Sequence, residues 1–278
     1  MKLAVLSDIH GNLEAFQAVL DVIDPLSIDR VISLGDNIGY GPDSEAVVAK
    51  IRNRNIASVL GNHEMAVRKK ETLAWFNPMA QKAWSIAKAQ LSDASLAWID
   101  TLPRYIVTRG LRFVHGVPPD SVFLYLFQLP ENKLIQKLAK SDESVCFVGH
   151  THELGIISWD GTRIEKEKAS LGGHTLDPGK KYIINAGSVG QPRDGTLGAK
   201  FVLFDTQTRV LTVKSIEYPV EKTRKKIIAA GIPEMYADRL APGRNPSGGP
   251  DPSKKLDPSK TLDPSKSGDP SRDKGNGQ

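Results

Sequence analysis

Short apolar runs alternate with amphipathic segments along the N-terminal part of the chain. The run from Leu3 to Leu6 predicts a buried strand, and Asn12 is a suitable N-terminal cap for the helix that follows it. One face of that helix collects the apolar side chains Leu13, Phe16, Leu20 and Ile23. Further strands are predicted at 31–34 and 56–60, with a helix at 43–54 between them. This β-α-β-α-β order predicts a parallel sheet with helical crossovers.

Strands dominate the rest of the chain. Two helices are predicted between residues 78 and 100, with Trp84, Leu91 and Trp98 facing inward. Later apolar runs predict strands at 105–108, 111–115, 144–148, 154–159, 181–185, 199–204 and 209–216. A helix is predicted at about 131–139, and helical segments at 219–241. The predicted fold class is α/β, with a mixed pair of sheets flanked by helices.

The C-terminal segment has a different composition. The triplet Asp-Pro-Ser recurs every six residues, at 251, 257, 263 and 269. A segment rich in Pro, Gly, Ser, Lys and Asp buries too little apolar surface to offset the entropy lost on ordering. We therefore expect a folded domain at 1–242 and a disordered repeat tail at 243–278, whose role the sequence leaves open.

Composition and charge narrow the class of protein. Apolar residues make up 40% of the chain, which is enough for a core without disulfides, and the single cysteine, Cys146, lies in an apolar run that predicts burial. The net charge is +5, but the tail contributes part of it, and no basic block with interleaved aromatic residues indicates nucleic-acid binding. No signal peptide or membrane-spanning stretch is recognised, so a cytoplasmic location is expected.

Polar motifs follow five of the predicted strands. They are Asp8-Ile9-His10, Gly35-Asp36-Asn37, Gly61-Asn62-His63-Glu64, Val114-His115-Gly116 and Gly149-His150-Thr151-His152. Taken singly, the first is compatible with a capped loop and the second with a cap for the next helix. Within them, Asp8, Asp36, Asn62 and the five histidines bring two carboxylates, one amide and five imidazoles to strand ends, where α/β sheets place their ligands. The sixth histidine, His174, is predicted to lie in a surface loop outside this pattern.

This donor set indicates a metal site. Imidazole and oxygen ligands without thiolate suit Mn, Fe, Co, Ni or Zn. The chain contains neither a Gly-x-Ser-x-Gly nucleophile motif nor a Walker A phosphate loop. These donors exceed what one ion with an open position needs. They suit two ions that share a carboxylate, ~3.5–4 Å apart, and act on a phosphoryl group.

The ordered motifs resemble those of the calcineurin-like metallophosphoesterase superfamily, and most closely its small bacterial and archaeal phosphodiesterase branch. Gly39-Tyr40-Gly41-Pro42 and the segment 185–194 resemble that branch too, and the likeness spans about residues 1–216. The resemblance implies a four-layer α/β/β/α fold and a phosphodiesterase or phosphatase that attacks small phosphoesters or nucleotides with a metal-bridged hydroxide. It implies two divalent ions, with Mn the expected choice in vitro.

The resemblance also implies roles for individual residues. One ion is held by Asp8, His10 and His152, the other by Asn62, His115 and His150, and Asp36 bridges them. His63 is implied to act on the substrate as a general acid or transition-state stabiliser, with an orienting role as the alternative. From the residues themselves, Arg193 is a candidate phosphate ligand or an ordinary surface residue. Tyr40 is a candidate for stacking on a base or a packed loop aromatic.

Two other functions are compatible with the same motifs. A protein Ser/Thr phosphatase shares this chemistry but needs an extended groove for a peptide. A non-catalytic scaffold with this fold is expected to have lost a metal ligand or the residue at position 63, and the sequence retains all of them. The sequence does not indicate the native metal, the physiological substrate or the oligomeric state.

Overall fold

The computed structural model describes residues 1–241. The strands are β1 (Lys2–Leu6), β2 (Arg30–Ser33), β3 (Ala57–Ser58), β4 (Tyr105–Thr108), β5 (Leu111–Val114), β6 (Val145–Val148), β7 (Leu154–Trp159), β8 (Ile164–Glu167), β9 (Gly172–Thr175), β10 (Lys181–Ala186), β11 (Ala199–Asp205) and β12 (Val210–Ile216). The helices are α1 (Leu13–Ile23), α2 (Ser44–Asn53), α3 (Asn62–Arg68), α4 (Pro78–Gln90), α5 (Asp93–Thr101), α6 (Glu131–Lys140), α7 (Val220–Ala229) and α8 (Met235–Asp238). Short 3-10 helices lie at Lys70–Trp75 and Leu126–Gln128. The predicted repeat tail falls outside the described residues, so the division into domain and tail stays a prediction.

Two six-stranded mixed sheets form the body, as predicted. One has the order β3-β2-β1-β11-β12-β9 and the other β4-β5-β6-β10-β7-β8. The pairs β1–β2 and β2–β3 are parallel, which confirms the crossover connections expected from the N-terminal pattern. The main apolar core lies between the sheets, and Phe113, Phe147 and Phe204 are among its buried side chains. A second core packs α1 and α2 against the outer face of the first sheet.

The first helix ties this framework to the motif-bearing loops. Asn12 caps it as predicted, because its Oδ1 accepts a hydrogen bond from the backbone N–H of Ala15 at 3.1 Å. Its amide nitrogen donates to the carbonyl of Gly190 at 2.9 Å. One side chain therefore fixes both the start of α1 and the 187–193 loop beside the strand ends.

Several elements differ from the prediction. The third strand covers only Ala57–Ser58 instead of 56–60, and the short α3 begins directly inside the third motif. His174 lies in the edge strand β9, where it pairs with Leu211, so the predicted loop was wrong, although this strand is mostly exposed and His174 is half-buried. Neither β8 nor β9 has the apolar alternation that marks a strand, because both lie at sheet edges and are mostly exposed.

Other core predictions hold. Trp84 and Leu91 are buried, whereas Trp98 is half-buried against its neighbours. Cys146 is buried in β6, where burial raises the pKa of its thiol well above the usual value. Within residues 1–241, no helix is both long and apolar enough to cross a membrane.

Candidate metal centre

The five motifs meet at one edge of the two sheets. Asp8 and His10 follow β1, Asp36 follows β2, and Asn62 and His63 begin α3. The remaining members follow β5 and β6 and are His115, His150 and His152. Three overlapping groups have ligand atoms within 4.8 Å of one another and could hold a metal ion: Asp8–His10–His152, His10–Asp36–His63 and Asp36–His115–His150. All of these side chains are buried.

The backbone is strained at these positions. Eight non-glycine residues in the described part of the chain have a positive φ, and five of them belong to the cluster. These five are Asp8 (φ 52°), His10 (φ 48°), Asp36 (φ 53°), His150 (φ 68°) and His152 (φ 62°). Such conformations cost on the order of 1–3 kcal/mol each and concentrate at functional sites, where the surrounding fold imposes them. The strand-end turns thus aim side chains inward at an energetic cost to the fold.

Backbone carbonyls fix the orientation of four imidazoles. The carbonyls of Ile38, Leu34 and Gln191 accept hydrogen bonds from the Nδ1 atoms of His10 (3.1 Å), His115 (2.8 Å) and His152 (2.6 Å) respectively. His150 is turned the other way, and its Nε2 donates to the carbonyl of Phe123 at 3.1 Å. A carbonyl only accepts, so the N–H of each ring points outward. The inner nitrogen of each neutral ring therefore presents a lone pair, as second-sphere hydrogen bonds do for metal-bound histidines.

The inner nitrogens lie close together in two pairs. His10 Nε2 is 3.1 Å from His152 Nε2, and His115 Nε2 is 3.1 Å from His150 Nδ1. When both rings of a pair are neutral, two nitrogen lone pairs at this separation repel, and a bound metal ion or a proton between them removes the repulsion. Asp8 Oδ1 lies 3.3 Å from His152 Nε2 and has no hydrogen-bond partner within the described residues. The donors thus fit divalent metal ions by type, orientation and spacing.

One carboxylate oxygen lies between the two pairs. Asp36 Oδ2 is 3.7 Å from His10 Nε2 and 3.3 Å from His115 Nε2. The Oδ1 atom of Asn62 is 3.2 Å from His115 Nε2, which adds an oxygen donor to the second pair. The cluster is therefore two donor groups joined through Asp36.

Burial and charge set the protonation of these rings. Burial lowers the pKa of His150 to about 3, and the neighbouring His115 adds to that effect. Burial also lowers the pKa of His10 and His152. At His115 burial acts in the same direction, but the carboxylate of Asp36 outweighs it and raises the pKa to about 9. Positive charge is therefore favoured beside Asp36, where a metal ion would also be stabilised.

His63 differs from the other four imidazoles of the cluster. Neither of its nitrogens is held by a carbonyl: Nδ1 is buried without a hydrogen-bond partner in the described chain, and Nε2 lies 4.0 Å from Asp36 Oδ2. Its ring contacts Tyr40 and Phe76 at centroid distances of 4.7 and 4.8 Å. Burial lowers its pKa to about 4, and Asp36 opposes that shift. The ring is only 1% exposed, so it is shielded from bulk water.

Glu64 supports the cluster, although the sequence analysis gave it no role. Its Oε1 accepts the backbone N–H of Asn37 at 2.7 Å, and its Oε2 accepts those of Asp36 at 2.9 Å and Gly61 at 3.1 Å. Burial, with the charge of Asp36, raises its pKa to about 7. The available signal was its position, three residues after the N-cap Gly61 of α3, where an acid accepts the N-cap N–H. Glu64 thereby fixes the turn that carries Asp36.

Two glycines allow the strand ends to approach the carboxylates. A Cβ at Gly61 would collide with Asp36 Oδ1 and with the Asp36 backbone nitrogen. A Cβ at Gly149 would collide with Ser7 Oγ and lie 2.7 Å from Asp8 Oδ2. The glycines at these positions are therefore required by close packing against the cluster.

A small cavity opens beside the cluster. It has a volume of about 60 Å³ and is lined by Asn62 and His150 of the cluster and by both residues suggested for substrate binding, Arg193 and Tyr40. Tyr40 lies between His10, at a ring distance of 4.4 Å, and Tyr236, at 4.5 Å and 14°. These neighbours pack against its ring while Tyr40 still lines the cavity, so its part in substrate binding stays a prediction.

Comparisons with known proteins agree with this geometry. The family model described as "Calcineurin-like phosphoesterase superfamily domain" matches residues 1–209. An uncharacterised protein of Methanocaldococcus jannaschii is 36% identical over 87% of this chain and 98% of its own length. The crystal structure of a metallophosphoesterase from Sphaerobacter thermophilus is 33% identical, with a TM-score of 0.74, over 86% of this chain and 98% of that one. Serine/threonine-protein phosphatase 2 of Escherichia coli is 41% identical over 51% of this chain and 70% of its own length.

Proposed function

This chain belongs to the calcineurin-like phosphoesterase superfamily, and on that premise we propose that it hydrolyses small phosphoesters or nucleotides at two divalent metal ions. Family membership makes the chain a metal-dependent phosphoric ester hydrolase. The observation that carries the proposal is the pair of inward-facing donor groups joined by Asp36. A single ion needs only one of these groups.

Each donor group supplies ligands for one ion in this proposal. Asp8, His10 and His152 hold the first ion. Asn62, His115 and His150 hold the second, His150 through its Nδ1 and His115 through its Nε2. Asp36 is shared between the two ions, since its Oδ2 lies near both groups.

The chain's own residues provide positioning and proton control. Two ions bound here would lower the pKa of a shared water and neutralise charge on the phosphoryl oxygens. His63 is assigned to the leaving oxygen, which it stabilises by proton transfer or by hydrogen bonding, because its nitrogens are not committed to carbonyls. Arg193 lines the small cavity beside the cluster and is assigned to the phosphoryl oxygens.

The direct test is hydrolysis of bis(p-nitrophenyl) phosphate and p-nitrophenyl phosphate by the purified protein. We expect turnover with Mn²⁺, and metal analysis is expected to give two ions per chain. A His63→Ala variant is expected to keep its metal and lose at least about 100-fold in kcat. Absence of turnover with Mn, Fe, Co, Ni and Zn alike would contradict the proposal, and full activity of the variant would remove His63 from the mechanism.

A protein Ser/Thr phosphatase is the second candidate function. It is favoured by the likeness to the Escherichia coli phosphatase over half of this chain. Phosphoserine and phosphothreonine peptides, assayed beside small diesters at equal concentration, separate the two candidates. A higher kcat/KM for the phosphopeptides would make the second candidate the better one.

A further inference from the structure

Aromatic side chains surround the mouth of the cavity beside the candidate metal centre. Trp75 and Phe76 come from the end of the 3-10 helix at Lys70–Trp75, and Phe123 and Tyr125 from the loop that follows β5. We call these four residues the aromatic wall. The rings of Trp75 and Phe123 are 4.6 Å apart at 52°, so two distant chain segments form one surface. All four residues are half-buried and lie outside both sheets.

The aromatic wall touches the cluster directly. Tyr125 stacks on His150 at 3.8 Å and 14°, and Phe76 lies 4.8 Å from His63. The carbonyl of Phe123 accepts the hydrogen bond that orients His150. A group bound along the wall is therefore adjacent to the candidate ligands and to the residue assigned to the leaving oxygen.

The size of the cavity limits what it encloses. The cavity, of about 60 Å³, is comparable in size to a phosphoryl group and much smaller than a whole nucleotide. Any larger ester substituent must extend outward past the wall. Tyr40 is covered by His10 and Tyr236, and Tyr125 is stacked between His150 and Phe127, which lies 5.0 Å away at 19°. A planar substituent is therefore expected to stack on the other members of the wall, Trp75, Phe76 and Phe123.

We propose that the aromatic wall binds the base of a nucleotide substrate, whose nucleoside is the leaving group. This inference rests on the proposed phosphoesterase function and names the substrate class for that site. Phe76 beside His63 puts the wall on the leaving-group side. A sugar separates a base from its phosphate, so the base reaches the mouth while the phosphoryl group is enclosed. The rings of the aromatic wall are expected to bind any of the bases, because every base offers a π-face for stacking.

The test compares two ligands that differ only by the base, adenosine 5′-monophosphate and ribose 5-phosphate. Their Kd values for the Mn²⁺-loaded protein are measured by calorimetry, and phosphate release is assayed in the same samples to separate heat of hydrolysis from heat of binding. We expect the nucleotide to bind about tenfold more tightly. Equal Kd values for the two ligands would overturn the proposal.

Variants of one tryptophan test the wall itself. In Trp75→Ala the ratio of the two Kd values is expected to fall about fivefold, whereas Trp75→Phe, which keeps a stacking face, retains most of it. Trp159→Ala is the matched control, because Trp159 is a half-buried tryptophan at the end of β7 remote from His152. Melting curves establish that each variant is folded. An unchanged ratio in a folded Trp75→Ala variant would also overturn the proposal.

The measurements separate a failure of the nucleotide-site proposal from a failure of the catalytic proposal. The Kd ratio is measured without any need for catalysis, and hydrolysis of bis(p-nitrophenyl) phosphate is followed separately. A protein that hydrolyses the diester and binds both sugar phosphates equally retains the proposed function and loses the nucleotide site. A protein that shows the ratio without hydrolysing any ester retains the nucleotide site as a binding site and loses the catalytic proposal.

Discussion

Replacing Glu64 by glutamine tests whether a buried carboxylate holds the turn that carries Asp36. The side chain of Glu64 is fully buried, and its two oxygens accept three backbone N–H groups, from Asp36, Asn37 and Gly61. Glutamine has nearly the same shape but replaces one oxygen with an NH₂ group, which only donates. At least one of the three backbone donors then loses its acceptor.

The geometry gives the size of the effect. Glutamine with its nitrogen at the Oε1 position loses only the bond from Asn37, whereas the reverse orientation loses the bonds from Asp36 and Gly61. The first orientation is therefore preferred, and one unsatisfied buried donor costs about 1–3 kcal/mol. For a domain of this size each kcal/mol corresponds to about 2–4 °C in Tm, so a loss of about 2 kcal/mol lowers Tm by about 4–8 °C.

The assay is denaturant and thermal unfolding at pH 6, below the pKa of about 7 that burial and Asp36 give to Glu64, because at higher pH the neutral glutamine would also relieve a buried charge and offset the lost bond. Glu45→Gln is the matched control, because Glu45 also accepts a backbone N–H, that of Ser92 at 2.9 Å, but at the exposed surface, where water replaces a lost bond. The control is expected to change the free energy of unfolding by less than about 0.5 kcal/mol. If Glu64→Gln unfolds at the same midpoint as the control, the reasoning about Glu64 is refuted.

Four further outcomes are expected. Chelation with EDTA lowers Tm relative to protein with metal at 100 times its Kd, because such binding stabilises the fold by about 2.7 kcal/mol; an unchanged melting curve contradicts the metal assignment. In the chelated protein, protonated His115 stabilises the fold, because the carboxylate of Asp36 outweighs burial and raises its pKa to about 9. This stabilisation is fully present below pH ~6.5 and is lost as the pH rises towards 9; unfolding at a series of pH values checks it. Cys146 is inert to a thiol reagent in the native state and reacts once per chain after unfolding, because it is buried and its pKa is raised; rapid native labelling refutes this. Asp194→Ala destabilises the protein by about 3 kcal/mol, because the buried Lys200 ammonium, 2.9 Å from Asp194 Oδ1, loses that partner. The loss of stability shrinks at higher pH, where the amine becomes neutral. A loss that does not depend on pH contradicts this account.

The fold was predictable where burial requires apolar residues at regular spacings along the sequence. Strands buried by the core, such as Val145–Val148, and helices with one apolar face, such as Leu13–Ile23, were confirmed. The edge strands Ile164–Glu167 and Gly172–Thr175 were missed because backbone pairing alone forms them, and exposed side chains carry no apolar pattern. The same reason accounts for the wrong placement of His174.

The centre of the candidate site was predictable for a different reason. Parallel strands end at a common edge, so polar motifs at successive strand ends indicate a shared site before any distance is known. The aromatic wall carries no such signal, because Trp75 and Phe123 belong to irregular segments that are distant in the chain and meet only through the tertiary fold. Glu64 was visible in a motif, but its role depends on which backbone N–H groups the fold turns towards it.

The strained backbone and the carbonyl-bound imidazoles argue that the site is formed by the fold rather than by the metal. A positive φ at Asp36 or His150 is unfavourable in an isolated turn, so the surrounding hydrogen bonds must impose it. At Asp36 those bonds come from Glu64, and the Asp36 Oδ1 atom accepts the backbone N–H of His63 at 2.9 Å. The helix that presents Asn62 and His63 is thus joined to the bridging carboxylate through backbone as well as side chain. A displacement of either the helix or the Asp36 carboxylate moves the other. A residue such as Glu64, without any contact to substrate, is therefore expected to affect the whole centre.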